Sequence, residues 1–246
     1  MALLKVLLLL GVSVNSDVSL QKRIIGGHDC DDTERLYHVR IVGINGNNNI
    51  LCGGTLIHPK WILTAAHCWK SEPGWIFTAV LKVHPPTANQ QNLLIHNNPV
   101  IYADHGRDHD VMLMKLPTPV TDVPPAQLPN CNNRLKIDDT VQLAGEGPTR
   151  TGPNNRRLTN SPMPPRLQCV DMKVVAVSQF SQKRGHIFST AAPNKGTCRG
   201  DSGAAVVFND MIYGVNAGCG KFALQKPGGI MDVCEYVDWI KQTIMK

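Results

Sequence analysis

Aromatic residues are scarce, 5 % of 246 residues, whereas proline and glycine are plentiful at 17 and 21. That balance argues against a helical bundle and favours a turn-rich all-β protein. No Cys-x-x-Cys occurs, which weakens any zinc-cluster reading. No Asn-x-Ser/Thr triplet occurs, so N-glycosylation is not expected. Internal repeats and low-complexity tracts are missing. No aromatic platform accompanies Arg156-Arg157 or Lys183-Arg184, so these pairs read as solvated loops and no nucleic-acid partner is expected. The one long apolar run, Val6 to Leu10 with its flanks, is shorter than the roughly 20 residues a membrane span needs.

That run, preceded by Lys5 and followed by Val14 and Ser16, has the form of a secretory signal, residues 1–16. Export agrees with eight cysteines, which in such a chain suggest disulfides. Formal charge is +6, and loss of residues 1–23 leaves 22 basic against 18 acidic residues, a mild excess. It suits acidic surfaces or simply solubility. Length alone allows one large β domain or two smaller ones.

Residues 17–23 end in Lys22-Arg23 and lead into Ile24-Ile25-Gly26-Gly27, either a protease-cut junction or a short disordered linker. If cleavage follows Arg23, Ile24 gains a charged α-amino group that needs a buried carboxylate, and Asp201 is the candidate. Strands are expected at 39–44, 51–57, 61–64, 111–116, 141–144, 168–177, 204–208 and 211–215. Gly46 to Asn49 and Asn209-Asp210 form turns. Residues 117–134 form a proline-rich surface connection, and 147–165 a polar, easily nicked loop. The face Tyr236/Val237, Ile240, Ile244 marks a terminal helix.

Three residues have the chemistry for acyl transfer. Ser202 lies between Gly200 and Gly203, where a tight turn can aim amide N–H groups at a ligand, though the same residues suit an ordinary polar turn. His67, in Ala65-Ala66-His67-Cys68, is held for general-base work or is a structural histidine. Asp110, before Val111-Met112-Leu113, either orients His67 or starts a strand. A further alternative makes His105 and His109 a weak metal pair.

His67, Asp110 and Ser202 in that order, with Ile-Ile-Gly-Gly after Arg23, resemble the trypsin/chymotrypsin family of serine endopeptidases. Thr-Ala-Ala-His-Cys, Asp-Val-Met-Leu-Met-Lys-Leu and Gly-Asp-Ser-Gly carry the match from Arg23 to the terminal helix, and the Ser-His-Asp roles follow that family's template. The resemblance implies an all-β fold of two six-stranded antiparallel β-barrels with a C-terminal helix, spanning residues 24–246. Its triad would lie in the cleft, with His67 and Asp110 from the first barrel and Ser202 from the second. It implies disulfides Cys30–Cys169, Cys52–Cys68, Cys131–Cys234 and Cys198–Cys219. Two other bridges common in trypsins are lost as whole pairs, Val141 with Phe208 and Phe180 with Ser189. Gly200 and Ser202 N–H groups would form the oxyanion hole. Gly196, Arg199, Ala217, Gly218 and Gly228 would form the substrate-binding wall. Expected partners are protein or peptide substrates, an activating protease and serine protease inhibitors; no cofactor, no metal and no calcium site are expected, and the chain is expected to be a monomer.

Departures concern specificity. Gly196 replaces the aspartate that receives Lys or Arg in trypsins, and without that carboxylate a cationic side chain is poorly received. Lys195 beside it either reaches the pocket and favours acidic substrates or points to solvent. Ala217 replaces a serine that supports the catalytic aspartate, Glu146 replaces a tryptophan, and Ala204-Ala205 a Gly-Pro. The strand before Cys219 is shortened. A second function class therefore stands beside catalysis, a protease-fold binding or signalling protein.

Overall fold

The computed structural model describes residues 24–147, 163–197, 200–218 and 227–246. The expected segments 1–16 and 17–23, with Arg23, Cys198, Arg199 and Cys219, lie outside these residues. Among the described residues, fourteen strands and a helix follow in chain order. They are β1 (His28–Asp29), β2 (His38–Asn45), β3 (Asn48–His58), β4 (Trp61–Thr64), β5 (Ile76–Leu81), β6 (Gln91–Ile95), β7 (Val100–Asp104) and β8 (Arg107–Lys115). After the connection come β9 (Thr140–Gly145), β10 (Gln168–Ser181), β11 (Gly185–Ala191), β12 (Ala205–Phe208), β13 (Met211–Asn216), β14 (Gly228–Asp232) and α1 (Val237–Ile244).

The second half contains a closed six-stranded antiparallel barrel, β10-β11-β14-β13-β12-β9, because β9 also pairs with β10; β1 is added at its edge. The first half differs from a plain six-stranded barrel. It is a seven-stranded antiparallel sheet ordered β6-β5-β2-β3-β4-β8-β7. Its two edges, β6 and β7, follow each other in the chain across His96-Asn97-Asn98-Pro99, so the extra strand arises where Pro99, lacking an N–H, interrupts one run.

Local chemistry accounts for the hairpins. Asn209 and Asp210 both take positive φ (49° and 61°), residue types that tolerate the left-handed region and match the twist of β12–β13. The β2–β3 turn is tighter than expected: Gly46-Asn47 alone make it, Asn45 pairs with Asn48, and Asn49 already belongs to β3. The connection 117–134 lies less on the surface than its composition predicts, because Val120, Val123 and Ala126 are buried and the Ala126 N–H donates to the Leu56 carbonyl.

One apolar cluster joins the halves. Ile41, Leu56, Leu63 and Leu113 of the first sheet pack with Val207, Val215, Met231, Tyr236 and Ile240. Removing a side chain the size of Ile240 from water contributes about 2 kcal/mol. The terminal helix starts at Val237, after a 3-10 turn at 233–235 capped by the Asp232 carboxylate accepting from Cys234 N–H. Its buried face is Val237, Ile240 and Thr243, whereas Ile244 is half-buried. Cys30–Cys169, Cys52–Cys68 and Cys131–Cys234 are bonded. The lost-bridge positions divide: Val141 is buried in the second barrel's core and the half-buried Phe208 packs against the same cluster, whereas Phe180 pairs with His186 and Ser189 donates to Gln179.

Candidate active site

His67 sits on a 3-10 turn, 66–68, at the end of buried β4, and the Cys52–Cys68 bridge pins that turn to β3. Asp110 lies within β8, which begins at Arg107, so it is not a strand-start residue. The Asp110 carboxylate is buried and accepts twice from His67: the backbone N–H donates to Oδ1 at 2.9 Å, and Nδ1 lies 3.0 and 2.9 Å from the two oxygens. With the Asp110 carboxylate oxygens as its acceptors, Nδ1 carries the proton, which leaves Nε2 as the acceptor.

Ser202 lies on the turn between Gly200 (φ 102°) and Gly203 (φ 85°). Gly203 has no room for a side chain, since a Cβ there would collide with Thr64 Oγ1 and the Gly53 carbonyl. The Ser202 carbonyl accepts from Gly53 N–H at 2.8 Å, and Gly203 N–H donates to the Asn216 carbonyl at 2.7 Å. Among the described residues no acceptor takes the N–H of Gly200 or of Ser202. A Cβ built on Gly218 would stand 3.1 Å from Ser202 Oγ and 3.8 Å from His67 Nε2, so both groups border one point. His67, Asp110 and Ser202 line a cleft of about 490 Å³ together with Ala66, Asp108, His109, Lys183, Arg184, Ala217 and Gly218.

The cleft includes two of the expected substrate residues, Ala217 and Gly218. Gly196 bridges to Ile25, and Gly228 pairs with Thr190; neither is on this lining. Lys195 donates to the Asp171 carbonyl at 3.4 Å on β10, away from the cleft. Ala217 is buried and brings no hydroxyl, and among the described residues the Asp110 carboxylate takes hydrogen bonds from His67 alone. The His105 and His109 pair separates: His105 meets Asp104 on the surface, and His109 Nδ1 meets Tyr236 Oη at 3.0 Å in the interior. Burial, then the neighbouring His186, lowers the His109 pKa.

Asn216 joins two parts of the candidate site, and its sequence context does not single it out. Its amide nitrogen donates to the Asp201 carbonyl at 3.0 Å, and its side-chain oxygen accepts from Gly218 N–H at 3.1 Å, so it ties the Ser202 turn to the cleft wall. The one signal is a polar residue at the end of an apolar strand, 211–215. Asp201 itself is fully buried, and Oδ1 accepts from Gly147 N–H at 2.7 Å. Ile24, also fully buried, packs with Val141, Leu143 and Val170 in the same barrel.

Glu146 stands out in the sequence only as a replaced tryptophan, and the fold makes it an inter-half ion pair. Arg40 on β2 grips its carboxylate with Nε–Oε2 2.9 Å and Nη2–Oε1 2.5 Å, and His38 Nε2 stands 3.7 Å away. Burial pushes this carboxyl's pKa up, but the neighbouring His38 and the doubly hydrogen-bonded Arg40 outweigh it and hold the pKa at about 2. A folded-state value below the unfolded one means stability that is full above about pH 4.5 and lost as pH falls through about 2. The shift corresponds to roughly 3 kcal/mol. The unfolding free energy in urea should therefore fall less steeply with acidification in Glu146→Gln than in the parent.

A serine between glycines, a carboxylate-held imidazole and a barrel-and-sheet cleft define a serine hydrolase. The family profile described as Trypsin matches residues 24–240. The chain belongs to the Trypsin family and is a trypsin-like serine endopeptidase acting on protein substrates. Trypsin of Sus scrofa is 31 % identical over 237 residues, covering 90 % of this chain and 96 % of that protein. Kallikrein 1-related peptidase b11 of Mus musculus is 29 % identical over 253 residues, with 92 % of each chain covered. A solved structure described as "Structure of GrC" superposes with a TM-score of 0.75 at 26 % identity, over 91 % of this chain and 100 % of that one. No helix among the described residues is long and apolar enough to cross a membrane.

Proposed function

We propose that this endopeptidase is secreted as a zymogen, with signal 1–16 and propeptide 17–23, and is activated by cleavage after Arg23. The freed Ile24 amine pairs with Asp201; the burial of both residues in one barrel supports this reading. His67 Nε2 takes the Ser202 proton as Oγ attacks the peptide carbonyl, and the oxyanion receives the N–H groups of Gly200 and Ser202. The imidazolium, stabilised by Asp110, gives its proton to the leaving amine as the acyl-enzyme forms. Water repeats the sequence to release the acid. The observation that carries the reading is the double grip of Asp110 on His67 beside Ser202. A fluorophosphonate probe should label Ser202 in cleaved protein; no labelling despite a free Ile24 amine would sink the mechanism.

Specificity is non-tryptic. Gly196 brings no carboxylate, and Lys183 and Arg184 on the cleft have no carboxylate partner among the described residues; of the two acids on the same lining, Asp110 is engaged by His67, which leaves Asp108. Peptide-library profiling should show poor cleavage after Lys or Arg and preference for an acidic residue near the cut. Arg184→Glu should reduce that preference about two- to fivefold, the effect of one partly exposed charge pair. The binding or signalling alternative draws on Ala217, which leaves Asp110 without a hydroxyl donor among the described residues. Turnover of no peptide in the library would favour it.

A further inference from the structure

We propose that Glu146, gripped by Arg40, is a positioning residue that sets the nucleophile turn by locking the two halves of the molecule in register. The inference rests on the catalytic reading above and concerns a ring of contacts around Ser202. Arg40 on β2 is the direct cross-strand partner of Gly53 on β3. Gly53 N–H donates to the Ser202 carbonyl at 2.8 Å. Asp201, one residue back, accepts from Gly147 N–H at 2.7 Å. Gly147 adjoins Glu146, whose carboxylate returns to Arg40 through two hydrogen bonds of 2.9 and 2.5 Å.

The ring therefore crosses between the halves twice, once at Gly53–Ser202 and once at Arg40–Glu146. The second crossing is buried: the Glu146 side chain is 6 % exposed and that of Arg40 13 %. Backbone on either side of Glu146 touches the nucleophile turn. A Cβ at Gly145 would collide with the Asp201 carboxylate, and one at Gly200 would lie 3.2 Å from Gly147 Cα. A displacement of residues 145–147 is thus transmitted directly to Asp201 and to the Gly200 N–H. A fork of two charge-assisted bonds fixes orientation as well as distance, which an apolar contact does not.

The test compares cleaved parent enzyme, Glu146→Gln, and the apolar pair Arg40→Met/Glu146→Leu. Glu146→Gln should lower kcat about 10- to 100-fold, as expected for a displaced oxyanion donor, with KM within about threefold. Amide hydrogen exchange at residues 200–203 should accelerate. The apolar pair should refill the site and recover the unfolding midpoint, since such replacements preserve stability, yet kcat should stay low. Recovery of kcat together with stability would make the ion pair mere packing and overturn the proposal. Unchanged exchange at 200–203 in Glu146→Gln would also overturn it, and that measurement needs no turnover. Faster exchange in Glu146→Gln beside a parent that turns over nothing would count against the catalytic reading and leave the lock standing.

Discussion

Ser202→Ala should lower kcat of the cleaved enzyme by about 10⁶-fold, and adding His67→Ala to it should cost almost nothing more. In the proposed mechanism the serine and imidazole act as one unit: without Oγ there is no proton for Nε2 to accept, and without Nε2 the hydroxyl is a weak nucleophile. The geometry makes that dependence sharp, since Asp110 occupies both the backbone N–H and Nδ1 of His67 and leaves Nε2 alone to face the cleft. Single-turnover assays on the two single variants and the double variant would measure it. Additive losses would mean that the groups do not cooperate, and the acyl-enzyme mechanism would fall. KM should change little, because neither side chain is part of the wall formed by Ala217 and Gly218.

Asp201→Asn should cost the cleaved enzyme about 10²- to 10³-fold in kcat/KM while leaving His67, Asp110 and Ser202 in place, the range set by breaking one buried charge pair. Asp201 is fully buried immediately before the nucleophile, and Ile24 is buried in the barrel that holds it. In the proposed pair, the carboxylate would hold the amine's pKa above its ordinary value of about 7.7–8.0. The pair's contribution is then complete at neutral pH and lost as pH rises through the raised value. The parent should show an alkaline fall in kcat/KM that Asp201→Asn lacks, because the variant has already lost the pair. Full activity in the variant, or an identical alkaline limb, would refute the ion-pair account of activation.

Short-range chemistry is the most legible part of the sequence: apolar runs mark β2, β4, β8 and β10, and Asn209-Asp210 mark their hairpin. Three disulfides follow the pairing that the family resemblance implies. Strands β5, β6, β7, β11 and β14 are far less evident from their residues. β7, exposed at Val100, Ala103 and Asp104, and β11, polar at His186, Ser189 and Thr190, lack a clean alternation and owe their conformation to ladder partners elsewhere in the chain. Sequence distance also hides the Arg40–Glu146 pair, separated by 106 residues. A lone glutamate beside two glycines advertises a turn, and only the register of two sheets shows which cation it meets. Asn216 is equally silent, since an amide's worth depends on the carbonyl and N–H that come within 3.1 Å of it.

Early and late parts of the chain trade places. Cys30 is bonded to Cys169 and Ile24 fills the second barrel, whereas Tyr236 and Ile240 complete the core shared with the first sheet. Neither half owns all the parts it needs. As the chain leaves the ribosome, the first sheet must wait for Tyr236 and Ile240 before its apolar face is covered, and Cys30 must wait for a strand more than a hundred positions later. Native structure is therefore reached only when the late segments have been made. A protease assembled this way cannot begin cutting its surroundings while it is still being synthesised.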